Sequence, residues 1–347
     1  MSGLRKEMVL KKEYNNNIEE IKPELFKIQI PLPDSPLRFV NSYLIKGAKR
    51  SLVIDTGLNL KECYEAMIKA LDELDVKLDN TDFFITHMHS DHIGLISKLA
   101  ATATVYLSNV EHKIVFEYAN SSTYWLEINK YMDKNGFPES ELNSAFKILN
   151  NMFVKTYPIS DEFKKINFKA LNDKDILNYG TFRLEAVLTP GHSPGHMCLY
   201  EPDKKMLFSG DHLLFDITPN ITWWPSLDNS LKNYLESLDK IYDLDIELVL
   251  PGHGKLGFDH RKRINEIKNH HKIRLDEILL AIKEGKKTAY EIAGSISWNL
   301  KAGGWKSFPE TQKYFAVGET IAHLIYLERE KLIRSMLTDQ TIYYERP

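Results

Sequence analysis

Cysteine is nearly absent from this sequence: Cys63 and Cys198 are the only two in 347 residues. A disulfide framework is thereby excluded, and neither thiol has a cysteine neighbour at zinc-finger spacing. No apolar run approaches the ~18 residues needed to span a bilayer. Met1 to Asn17 is charged and asparagine-rich without an apolar stretch, so it does not read as a signal peptide. Neither sign of charge dominates. The formal net charge of −3 gives no global signal for nucleic acid or an anionic membrane. Internal repeats and low-complexity tracts are also lacking. With 43% hydrophobic and 27% charged residues, the chain reads as a cytoplasmic soluble protein of globular composition.

What is present is a dense histidine stretch. Thr86-His87-Met88-His89-Ser90-Asp91-His92-Ile93-Gly94 puts three imidazoles and a carboxylate within six residues, straight after the apolar run Phe83-Phe84-Ile85. Around it the pattern alternates short strands with helices. Leu25 to Ile30 alternates as a strand. Asn41 to Ile45 and Ser51 to Ile54 read as a hairpin, and Leu60 to Leu74 has helical spacing with Cys63, Met67, Ile68, Leu71 and Leu74 on one face. Residues 109–157 break the pattern as a helical insertion rich in Tyr, Asn and Phe. Strands then resume at Phe182 to Leu188, Met197 to Tyr200, Met206 to Ser209 and Leu248 to Leu250. Repeatedly a short strand ends in a loop bearing His or Asp, where catalytic groups are usually mounted.

A His-x-His pair on a loop can place two imidazole nitrogens on one ion. His192, from another strand end, could complete a three-nitrogen set that leaves a position for water, as a catalytic rather than structural site requires. Asp91 and His92 could serve a second ion with His253, and the two oxygens of Asp211 could bridge both. A lone histidine such as His112, His260 or His323 is better explained as a surface or core residue. Seven potential ligands on Gly-flanked loops are not.

In this order, T-H-M-H-S-D-H-I-G, T-P-G-H-S-P-G-H, S-G-D-H and P-G-H-G resemble the motifs of the metallo-β-lactamase superfamily of metallohydrolases, over roughly residues 20–258. The resemblance implies an α/β (α+β) fold: an αββα sandwich with the metals at one edge of its two sheets. Carried over residue by residue, it implies that His87, His89 and His192 hold one ion, and that Asp91, His92 and His253 hold the other, with Asp211 between. Asp55, in Ile-Asp-Thr-Gly, matches a position that supports the site from behind its ligands, although an Asx turn explains it equally well. True β-lactamases of the superfamily lack the bridging Asp, so Asp211 argues against antibiotic hydrolysis. The Glu and flavodoxin domain of flavodiiron proteins are not seen. Only about forty residues separate Asp211 from His253, too few for the insertion of β-CASP nucleases. The ligand set is most similar to that of glyoxalase II-like thioesterases and lactonases.

The expected organisation is a weakly ordered lead-in (1–20), a hydrolase domain (21–258) and a helix–helix–helix–hairpin unit (259–347) resembling a winged helix. Residues 260–347 carry 16 Lys+Arg against 11 Asp+Glu, a mild basic excess. The unit could guide nucleic acid, or pack over the site or form a homodimer. The expected chemistry is hydrolysis by a hydroxide shared between two divalent ions, with zinc favoured and iron or manganese also fitting the ligands. Asp91 and Asp211 are the catalytic carboxylates, and Asp91 could also pass a proton to the leaving group. The substrate is expected to be a small ester, thioester or lactone, with a phosphodiester or RNA as the alternative. Trp223 and Trp224 could form an apolar pocket with the insertion. His196 and His212 adjoin ligands and could orient loops or touch substrate.

Overall fold

The computed structural model describes residues 17–33, 35–120, 123–156, 163–283, 285–298 and 303–347. Most of the expected lead-in lies outside them. Ile18–Lys22 is strand β1, so part of the expected lead-in belongs to a sheet.

Seven strands form the first sheet: β1, β2 (Leu25–Pro31), β3 (Phe39–Ile45), β4 (Ser51–Ile54), β5 (Thr81–Phe84), β6 (Thr104–Ser108) and β7 (Asn167–Leu171), in that spatial order. Five form the second: β8 (Ile176–Tyr179), β9 (Phe182–Leu188), β10 (Met197–Glu201), β11 (Met206–Gly210) and β12 (Leu248–Pro251), with β12 and β8 at its edges. Side-chain alternation along each strand explains why the sheets stack. In β10, Met197 and Leu199 enter the core between the sheets, while Cys198 faces the opposite way. The same split separates Met206 and Phe208 from Leu207 in β11, and Phe84 from Phe83 in β5. Central strands buried on both faces therefore read as continuous apolar runs. Helix α1 (Lys61–Glu73) covers the first sheet through Cys63, Met67 and Leu71, which the sequence places on its apolar face. The second sheet is covered by α7 (Ser230–Tyr242), through Leu231, Tyr234 and Leu238. Helix, sheet, sheet, helix is the expected four-layer sandwich.

Two short helices, α2 (Ser90–Ile93) and α3 (Ile96–Leu99), follow β5. The insertion comprises α4 (Asn109–Asn120), α5 (Thr123–Lys134) and α6 (Glu139–Thr156). After β12 come α8 (His260–Ala281), α9 (Ala289–Ala293), α10 (Glu310–Arg329) and the hairpin β13–β14 (Arg334–Thr338, Thr341–Glu345). Asp259 caps α8 by accepting from the Lys262 N–H, and Thr288 and Glu291 form a reciprocal capping box on α9. The C-terminal helices share a core with the insertion: Val317, Ile321 and Leu324 of α10 and Tyr344 of β14 cluster with Met132, Phe137 and Leu142. Polar contacts seal the same junction. Tyr344 donates to Asn135 Oδ1 (2.9 Å), while Tyr290 and Lys313 both donate to Glu141 Oε2 (2.8 Å each). The two segments hardest to read in the sequence are thus packed against each other. Among the described residues, no helix is long and apolar enough to cross a membrane.

Candidate metal centre

Strands β4 and β5 run parallel, as do β11 and β12, and each ends at the same rim of the sandwich. Asp55 follows β4 and His87 lies just past β5. Asp211 follows β11, and His253 lies two residues past β12. The loop between β9 and β10 contributes His192 and His196. Rims formed by the carboxyl ends of parallel strands are where α/β proteins place their chemistry.

Three groups of ligand atoms converge there: His87 with His89 and His192, His87 with His92 and Asp211, and Asp91 with His92 and His253, the atoms of each lying within 4.8 Å of one another. His89 Nδ1 is 2.9 Å from His87 Nε2 and 3.1 Å from His192 Nε2. Nitrogens sharing one tetrahedral ion at ~2.0–2.1 Å would lie roughly 3.3 Å apart, so the cluster has nearly the required span. On the other side, Asp91 Oδ2 is 3.2 Å from His253 Nε2. Asp211 faces both groups. Its Oδ1 lies 3.6 Å from His92 Nε2 and 3.5 Å from His253 Nε2, while its Oδ2 lies 3.6 Å from His192 Nε2. His92 Nε2, His253 Nε2 and Asp211 Oδ1 are buried without a hydrogen-bond partner. Buried polar atoms left unpaired are costly. Three at one spot, all borne by ligand-type side chains, fit a metal site.

The opposite nitrogen of each ring is held by a group that only accepts, or that is left to accept. His92 Nδ1 donates to Asp55 Oδ2 (2.8 Å), His253 Nδ1 to the Phe39 carbonyl (2.9 Å) and His192 Nδ1 to the Asn220 carbonyl (2.9 Å). Thr86 Oγ1 donates to Asp55 and so accepts from His87 Nδ1 (2.9 Å). In its neutral form each of the four rings therefore carries its proton on Nδ1 and keeps the Nε2 lone pair free, the tautomer a metal ligand needs. Asp55 sits at φ +59° with its Oδ1 accepting from the Thr86 N–H (2.9 Å). Gly252 matters at this point because a Cβ there would lie 2.7 Å from Asp211 Oδ1 and 2.9 Å from His92 Cε1.

Burial pushes His89 down to about 3, with His192 contributing, and holds His87 and His192 below the usual range. Burial also opposes the charging of His92 and His253. Asp55, Asp91 and Asp211 outweigh it at His92, and Asp211 and Asp91 carry His253 up to about 9. Asp91 and Asp211 fall below the usual carboxylate range despite burial, through His92 and His253. In chelator-treated protein, a His253 value raised from 6.5 stabilises the fold fully below pH 6.5, and this is lost as pH rises through about 9. Both carboxylates are ionised throughout that window. Metal requires the neutral imidazole and so binds more tightly over the same interval. The melting temperature of the chelated protein is expected to fall from pH 6.5 to 9 while the gain on adding Zn²⁺ grows. A gain that does not change across this range would contradict the coupling.

The other expected residues separate. His196 turns inward to accept from the Asp211 N–H at Nε2 (3.2 Å), with Thr189 at its other nitrogen (2.8 Å), so it orients the Asp211 loop. His212 is buried, pushed down to about 3, and stacks edge-on against Tyr234, outside the ligand groups. Trp224 lies 5.9 Å from the His89 ring and donates from Nε1 to the His192 carbonyl (3.1 Å). Trp223 and Trp224 do line a cleft of about 630 Å³ with Tyr131, but the expected apolar pocket is mixed in character: Asp228, just before α7, and Glu328, Arg329 and Lys331, from α10 and its end, share the lining.

Sequence reasoning missed Glu111. Its buried carboxylate accepts from Ser193 Oγ (2.6 Å), Gly195 N (2.7 Å) and Met88 N (3.0 Å), tying together the loops that carry His87, His89 and His192. Burial pushes its carboxyl up to about 7. Helical spacing to the buried Ile114 and Val115 was the available signal, since it places an acid on the inward face. Asn220 gave no such signal, because its carbonyl is the acting group.

Comparison with known proteins agrees with this geometry. The family model described as the metallo-beta-lactamase superfamily matches residues 35–253. The probable metallo-hydrolase YqjP of Bacillus subtilis is 23% identical, over 93% of this chain and 98% of its own. The human acyl-coenzyme A thioesterase MBLAC2 is 27% identical over 61% of this chain and 72% of its own. Among solved structures, the metallo-beta-lactamase family protein TTHA1429 of Thermus thermophilus superposes with a TM-score of 0.79 at 29% identity, covering 94% of this chain and all of its own.

Proposed function

The chain belongs to the metallo-β-lactamase superfamily and is one of its metal-dependent hydrolases; from that premise we propose that it cleaves a small-molecule thioester, or a related ester, at a centre for two divalent ions. The observation that carries the two-ion reading is Asp211, whose oxygens face opposite ligand groups. His87, His89 and His192 would hold one ion; Asp91, His92 and His253 the other; Asp211 would touch both. Zinc suits this nitrogen and oxygen set. Bound ions of this kind supply a water of lowered pKa and polarise the carbonyl under attack.

The chain's own groups do the rest. Asp55, Phe39, Thr86 and Asn220 fix the tautomers, so the ligands need no rearrangement as charge develops. Asp91 has the more exposed carboxylate, 22% against 11% for Asp211, and stands where it can hand a proton to a departing thiolate or alkoxide. Trp224 adjoins both the centre, 5.9 Å from the His89 ring, and the cleft it helps to line. The thioester class rests on the relative named as an acyl-coenzyme A thioesterase and on that cleft, whose aromatic wall suits an acyl chain and whose Arg329 and Lys331 suit anionic groups. From residue 259 onward the element order is that of a winged helix. Val317, Ile321 and Leu324 of α10 and Tyr344 of β14 are buried in the core shared with the insertion, which favours a packing role over guiding a strand.

Zn²⁺-loaded protein should release free thiol from acyl-CoA esters at least ~100-fold faster than chelated protein, a loss typical of removing a catalytic metal. Phosphodiesters and RNA should remain intact at the same enzyme concentration. Faster cleavage of RNA, with binding that weakens steeply as salt rises, would sink the thioester reading.

A further inference from the structure

We infer that Glu319, in the C-terminal helix α10, is a positioning residue for the metal ligand His192, acting through Asn220. The inference rests on His192 being a ligand. A carbonyl only accepts, so the 2.9 Å contact from His192 Nδ1 to the Asn220 carbonyl puts the proton on Nδ1 and leaves Nε2 free toward His89 and Asp211. The His192 carbonyl in turn accepts from Trp224 Nε1 (3.1 Å). Both restraints come from residues 220–224, a segment without helix or strand apart from an isolated bridge at Trp224. Such a segment cannot aim a ring nitrogen unless something outside it holds it still.

Two consecutive residues in the middle of α10 do so. Glu319 Oε2 accepts from Asn220 Nδ2 (2.9 Å), and the Gly318 carbonyl accepts from the Trp223 N–H (3.3 Å). Glycine inside a helix costs about 1 kcal/mol relative to alanine, yet here it is needed. A Cβ at 318 would lie 2.3 Å from Thr222 Oγ1 and force the segment away. Glu319 is itself fixed from α8. Arg274 Nε lies 3.6 Å from Glu319 Oε1, and the guanidinium is held 4.1 Å over the Trp298 ring and by Glu277 (3.2 Å). A carboxylate this buried is expensive unless paired and hydrogen-bonded. Its two partners point one way to the helical unit and the other way to the loop behind His192. The C-terminal unit is therefore part of the metal centre.

Zn²⁺ affinity of the full chain, measured by competition with a chromogenic chelator, tests this directly. Partners that orient a ligand are worth about 10–100-fold in affinity. Glu319→Ala and Asn220→Ala should each weaken Zn²⁺ binding by about tenfold or more, and the double variant should be no weaker than either single, as expected for one shared interaction. Glu319→Gln keeps an acceptor for Asn220 but turns an amide toward Arg274. It should lower the melting temperature while holding Zn²⁺ affinity within about twofold, a split that a purely structural brace would not produce. Should Glu319→Ala fail to fold, Asn220→Ala in the half-buried loop carries the same test. Unchanged affinity in a folded Glu319→Ala or Asn220→Ala variant, beside lost affinity in His192→Ala, overturns the clamp alone. Unchanged affinity in His192→Ala overturns the site assignment and the clamp with it.

Discussion

Asp211→Ala is expected to lower turnover by at least about a thousandfold, the scale of losing a main charge-stabilising group, and to lower the bound metal. Among the described residues no other carboxylate reaches both ligand groups: Asp211 Oδ1 lies within 3.6 Å of His92 and His253, and Oδ2 is 3.6 Å from His192. Alanine would leave the two groups without their shared anion, and Gly252 offers no side chain to fill the gap. The chelated fold should lose stability with the change, because Asp211 offsets the charge that it helps to hold on His92 and His253. Elemental analysis, turnover and the melting temperature of the chelated variant together make the test. Full metal content with full turnover would remove Asp211 from the centre.

Asp55→Asn should have an effect nearly as large, about 10²–10⁴ in turnover, because it reverses a tautomer rather than removing bulk. Asp55 Oδ1 takes the Thr86 N–H and hydroxyl, while Oδ2 takes the proton on His92 Nδ1. An Asn oxygen must stay with the Thr86 N–H, which turns the amide NH₂ toward His92. The ring then has to accept at Nδ1 and carry its proton on Nε2, the atom that faces Asp91 and Asp211. Asn tolerates the left-handed backbone at φ +59°, so folding should survive. Proton and nitrogen NMR of the His92 ring would report the tautomer directly. Wild-type turnover with Nδ1 still protonated would refute a role for Asp55 in setting that tautomer.

The rim of the sandwich was legible because its chemistry is written in contiguous motifs. His87 to His92 sit on one loop, and His192, Asp211 and His253 each follow a short apolar strand whose end is easy to place. The strand alternation that separates Cys198 from Met197 and Leu199 is also a local pattern, so the layers could be foreseen. Glu111, Asn220 and Glu319 could not, since their roles depend on partners 82, 28 and 99 residues away. A carbonyl acting as acceptor leaves no trace in residue identity at all. The mixed lining of the cleft was missed for a similar reason: three of its four charged residues, Glu328, Arg329 and Lys331, arrive from the end of α10, about a hundred residues beyond Trp224.

The core shared by α5, α6, α10 and β14 bears on how the chain is made. As synthesis proceeds from the N-terminus, Met132, Phe137 and Leu142 leave the ribosome long before Val317, Ile321 and Tyr344 exist. The Asn135–Tyr344 hydrogen bond closes a span of 209 residues. Until α10 and β14 emerge, the apolar face of α5 and α6 lacks the cover they provide, the kind of exposure that holds intermediates open and invites association with other chains. The sandwich can assemble its sheets early, while Glu319, which steadies the loop behind His192, is made after every candidate ligand. All seven candidate ligands are therefore made before the helix that steadies one of them.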